Sequence, residues 1–163
     1  MWSIHQEWDN RPVLVFIPLD PAGLARLRQG YDLGAVLAWA AEDESEEAEQ
    51  DALLVASLDG LARHGLRLVL VAQALFEAPP DDGPGRVVGL AWRQATALFA
   101  DDPADLGLVR AAGAAVAGRD WRAALQDPTA VRLARERPLL WHDASEVGRG
   151  PIELPTTAGL ARI

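Results

Sequence analysis

Cysteine and lysine are both missing from the 163 residues. Without cysteine there are no disulfides, no thiolate zinc or iron–sulfur sites and no thiol nucleophile. Without lysine there is no Walker A phosphate clamp, no Schiff base and no anchor for pyridoxal phosphate. All fifteen basic residues are arginine, against twenty-four aspartates and glutamates, for a formal net charge of −9. An acidic surface repels phosphate backbones, so nucleic acid is not an expected partner. Long apolar runs are missing too. The best, at residues 13–17 and 66–74, are too short or too interrupted to span a bilayer, and the first eight residues have no basic and apolar signal pattern. The expectation is a cytoplasmic protein with no membrane partner.

What is present is a periodic apolar half: 50% of residues are hydrophobic at a mean hydropathy of +0.01. That suffices for one domain with a real core. Val13, Leu14, Val15, Phe16 and Ile17 read as a buried strand ended by Pro18. Asp20-Pro21 opens a helix that Gly30 stops. Residues 35–40 fit a short strand. A long helix from about Ser45 to Arg63 starts acidic, ends basic and stops at Gly65, matching the helix dipole. Residues 66–71 read as strand, 77–85 as a Pro/Gly/Asp turn, and 86–92 as a strand forming an antiparallel hairpin with 66–71. Residues 96–100 fit a strand or short helix. Helical spacing runs from Pro103 to a break near Gly118, Asp127-Pro128 opens another helix, and residues 138–143 form a last strand.

These elements predict an α/β domain, a two-layer α/β or α+β sandwich with a small mixed sheet of about five strands and helices packed on it. Residues 1–12 form a leader, 13–147 the single domain and 148–163 a tail in which Pro151, Pro155 and Gly159 forbid a long element and no core element is expected. Of the six tryptophans, Trp39, Trp92 and Trp141 are expected in the core, and Trp2 and Trp8 lie in the leader.

The opening strand with Pro18 and Leu19, the acidic helix start at residues 46–54, the Asp101-Asp102-Pro103 turn and the terminal Leu139, Trp141 and Asp143 resemble a small actinobacterial domain family of unknown function. The resemblance spans about Val13 to Val147 and implies a fold but no activity. His142 stands where the resemblance leads one to expect an aromatic hydroxyl.

Two groups of residues invite a functional reading. Asp101, Asp102 and Asp143, with His142, fall at element ends, where converging carboxylates hold a divalent cation for hydrolysis or phosphotransfer. The structural alternative is simpler: Asp102-Pro103 is a helix cap, Asp143 to Glu146 is a capping box, and strand neighbours His142 and Asp143 face opposite ways. The second group is Glu47, Gln50 and Asp51. At 100° per residue they share the side of Leu54, Leu58 and Leu61, so the helix's core stripe turns polar at its start. Either the helix overhangs its sheet, the simpler account, or these groups line a pocket or meet a basic partner.

No familiar catalytic, cofactor or metal motif occurs, so neither cofactor nor metal is expected. The leading expectation is a non-enzymatic binding or regulatory domain with a protein partner, self-associating as a homo-oligomer through Trp2, Ile4 and Trp8 of the leader and Ile152, Leu154, Leu160 and Ile163 of the tail. A metal-dependent hydrolase or phosphotransfer enzyme is the alternative. An acidic decoy of a nucleic-acid-binding protein is the third.

Overall fold

The computed structural model describes residues 11–150, 152–156 and 159–163. Along the chain come β1 (Val13–Pro18), α1 (Pro21–Arg28), β2 (Ala35–Ala40), α2 (Glu46–His64), β3 (Leu68–Ala74), β4 (Gly85–Val88) and β5 (Ala95–Ala100). They are followed by α3 (Leu106–Val116), α4 (Trp121–Gln126), α5 (Pro128–Glu136), β6 (Leu140–Asp143), β7 (Glu153–Thr156) and β8 (Gly159–Arg162). Helix starts follow the sequence signals. Asp20, Ser45 and Asp127 each accept a backbone N–H as N-caps, and Gly65 ends α2 at φ +76°.

Six strands form one open sheet in the order β4-β2-β1-β3-β5-β6, and every pairing is antiparallel. The α/β class holds; among the described residues the sheet has six strands rather than about five and no parallel pair. Both faces of the sheet are covered. Val15, Ile17, Leu68, Leu70 and Leu98 pack with Leu24 and Leu27 of α1. The alternate residues Phe16, Trp39, Val69, Val71 and Ala97 pack against Ala52 and Ala56 of α2. No helix among the described residues is long and apolar enough to cross a membrane.

Four details of the sequence reading change. First, β3 and β4 do not form a hairpin, because β1 and β2 lie between them. Strand β3 is buried along almost all its length and needs partners on both sides. Strand β4 alternates buried and exposed residues, the pattern of an edge. Only Glu77 and Arg86 still pair across the intervening loop, exchanging backbone hydrogen bonds of 2.9 and 3.0 Å. Second, Gly89 at φ +71° ends β4 early, so Trp92 sits half-buried in a 3-10 turn, while Trp141 lies on edge strand β6 and is 57% exposed.

Third, Leu54 is not core but 41% exposed. Helix α2 turns a small-residue face to the sheet: Ala52, Ala56 and Gly60, at intervals of four. A Cβ on Gly60 would stand 3.1 Å from the Pro18 side chain, so the helix comes too close for a leucine there. Fourth, the tail adds a short element to the core. β7 and β8 form an antiparallel hairpin against α3, Leu154 is fully buried, and Ile152 and Ile163 pack on the same core. A two-stranded hairpin pairs β7 on one edge only, which tolerates Pro155. Trp2, Ile4 and Trp8 lie outside the described residues.

Candidate functional site

A cleft of about 550 Å³ opens between the end of β2, the start of α2, the 76–83 loop and Trp121. It follows from local sequence. The β2–α2 turn needs short polar residues to reverse the chain. Asp43 accepts the Ser45 N–H at 2.7 Å, and Ser45 in turn caps α2 by accepting the Ala48 N–H at 3.2 Å. Hydrogen bonding from Ser45 holds the Asp43 carboxyl below the usual carboxylate range. From that cap, helical spacing sends Glu47 and Asp51, then Ala48, Ala52 and Val55, to the side facing the cleft.

The floor is aromatic. Trp39 and Trp121 meet edge to face with ring centroids 5.0 Å apart, an arrangement that favours both rings. Trp39 is fixed from behind: its indole N–H donates to the buried Asp59 at 3.0 Å, and Asp59 also accepts from Arg63 Nε at 2.7 Å. Phe76 completes the wall, and it lies where it does because residue 85 is glycine. A Cβ at Gly85 would fall within 2.5 Å of the Phe76 ring and of the Glu77 carbonyl.

Six carboxylates line the cleft: Glu42, Asp43, Glu47, Asp51, Asp81 and Asp82. Among the described residues no three acidic or histidine groups sit close enough together to hold a metal ion. The charge is spread over a rim, as suits a larger cation. One such group stands at the edge of the cleft, against two of its lining residues. The Arg122 guanidinium lies 4.6 Å over the Trp121 ring and donates to the Asp82 carboxylate.

Of the binding residues expected from sequence, Glu47 and Asp51 line this cleft; Gln50 does not, and its amide reaches back to Glu46 at 3.4 Å. The structure does not bring the other candidates together. Asp101 is buried in a salt bridge with Arg67, which is itself buried: the Arg67 backbone N–H and Nε each donate to it at 2.7 Å. Burial pushes the Asp101 carboxyl up, against the pull of Arg67. Asp102 caps the turn at Pro103–Asp105, and Asp143 accepts from both the N–H and the hydroxyl of Ser145.

The β5–β6 register pairs Ala97 with Asp143 and Ala100 with Leu140. Asp143 therefore stands four residues from Asp101 along the strand, about 13 Å at the usual rise. His142 pairs with the buried Leu98 and shows the opposite face to Asp143. Sequence reasoning missed Trp121, Asp81 and Asp82. The Asp-Asp in the 77–85 turn was the available signal, but nothing local says that this turn folds over α2.

The sequence pattern of a family described as "Family of unknown function (DUF6912)" matches residues 13–149. No curated protein and no solved structure matches the chain.

Proposed function

The chain belongs to that family of unknown function, and we propose that it is a non-enzymatic binding domain whose working surface is the acidic, tryptophan-floored cleft. One observation carries this reading: six carboxylates rim a cavity whose floor is a pair of indoles, with no metal-like cluster among them. That combination recognises a cation too large and too apolar for a hydrated metal site. The structural roles of Asp101, Asp102 and Asp143 support a binding domain over the hydrolase alternative. A decoy of a nucleic-acid-binding protein is a special case, with the basic partner specified. We place the domain in the cytoplasm and, following the family resemblance, in an actinobacterium; the arginine-only basic set fits a GC-rich genome of that kind.

The test is an NMR titration with a short basic peptide. The indole N–H signals of Trp39 and Trp121 should move first. Glu47→Gln combined with Asp51→Asn should weaken binding about tenfold, since a few rim ion pairs contribute up to ~1 kcal/mol each. Shifts confined to other tryptophans would overturn the assignment.

A second reading rests on edge strand β6, which among the described residues has no partner on one side of its backbone and exposes Leu140 and Trp141. Such an edge pairs readily with its own copy about a two-fold axis. Light scattering at tens of micromolar should then show a dimer, with Trp141→Arg monomeric; a monomeric parent chain would sink this reading.

A further inference from the structure

Building on the cleft as the binding surface, we propose that its ligand is an arginine-bearing segment of a partner protein, whose guanidinium takes the place that Arg122 fills in the free chain. Arg122 shows what the wall recognises. Its guanidinium stacks on Trp121 and reaches the Asp82 carboxylate, forty residues away in sequence, so two separate elements meet around one planar cation. A guanidinium suits this position better than an ammonium. It is flat, weakly hydrated and able to stack while its edge donates to a carboxylate, whereas an ammonium is a compact, strongly hydrated point charge.

This edge contact is loosely held in the free chain. The Arg122 and Asp82 side chains are 51% and 73% exposed, and a pair so open to water contributes little to stability. Beyond Asp82 the cleft offers more than Arg122 uses. Glu42, Glu47 and Asp51 form no ion pair among the described residues, and about 550 Å³ is room for more than one side chain. A peptide with two or more arginines can therefore replace the single internal contact and add pairs along α2. Trp39, with its N–H committed to Asp59, meets it with its ring alone.

Isothermal titration separates the possibilities. Two capped peptides of equal length are compared, one alternating glycine with arginine and the other glycine with lysine. The arginine peptide should bind about fivefold tighter, the scale of one stacked cation. Arg122→Ala should tighten the arginine peptide by a similar factor. Arg132→Ala, which makes the same charge change on α5 away from the cleft, should not. Equal affinity for both peptides, or no gain from Arg122→Ala, would overturn the guanidinium assignment and leave the cleft as a binding surface for cations in general. Titrations unchanged by Glu47→Gln with Asp51→Asn would remove the cleft as the surface, and both readings with it.

Discussion

Asp101→Ala should destabilise the fold by roughly 3–5 kcal/mol, the range for stranding one member of a buried ion pair. At about 2–4 °C per kcal/mol for a chain of this size, the melting temperature should fall by on the order of 10 °C. The reason is Arg67 rather than Asp101 itself. Arg67 begins the approach to β3 and is 2% exposed, and its guanidinium holds Asp101 Oδ1 on one side and the Arg137 carbonyl on the other, at 2.7 and 2.9 Å. Its backbone N–H also donates to Asp101. Alanine leaves the buried guanidinium without its counter-ion, and its Nε and the Arg67 backbone N–H without an acceptor. Arg67→Met with Asp101→Asn should lose less than Asp101→Ala alone, because no unpaired charge is then buried and the asparagine carbonyl still accepts the Arg67 N–H. Urea unfolding measures both. A cost of Asp101→Ala under about 1 kcal/mol would show that the pair is open to water, as surface pairs are.

The same pair shows where sequence stops informing. Asp101-Asp102-Pro103 is visible as a helix-starting signal, and Asp102 does cap the following turn. That Asp101 meets Arg67, thirty-four residues earlier, depends on β3 and β5 being neighbours with Leu68 opposite Ala100. No local pattern specifies that pairing. Elements with local causes were legible: the capped starts of α1, α2 and α5, the glycine stop at Gly65, and the continuous apolar runs of β1 and β3. The candidate site was legible by half. Glu47 and Asp51 drew notice because they interrupt a helical stripe, a one-dimensional signal. Trp39, Trp121, Asp81 and Asp82 come from three other segments, and their meeting is a property of the assembled sheet and helices.

The second large effect separates two leucines that share a predicted helix face. Leu58→Asp should unfold the domain, while Leu54→Asp should change its stability by less than about 1 kcal/mol. Leu58 is 1% exposed and lies in the cluster with Val15, Ile17 and Leu70, so aspartate there would bury a carboxylate with no partner, at several kcal/mol. Leu54 is 41% exposed, and its backbone carbonyl, which accepts the Ser57 hydroxyl at 2.8 Å, is untouched by a side-chain change. A periodicity argument treats the pair alike because it weights leucine heavily and alanine and glycine lightly. The packing of α2 follows the opposite weighting. Ala52, Ala56 and Gly60 let the helix settle against β1, and of the three leucines that share another side of α2, Leu54 lies a turn nearer the N-terminus, open to water, while Leu58 and Leu61 are covered. Circular dichroism melts of the two variants decide it. Comparable losses from both would mean that α2 sits on the sheet by its leucines, rotated from the face described. The cleft-facing positions of Glu47 and Asp51 would then be lost as well.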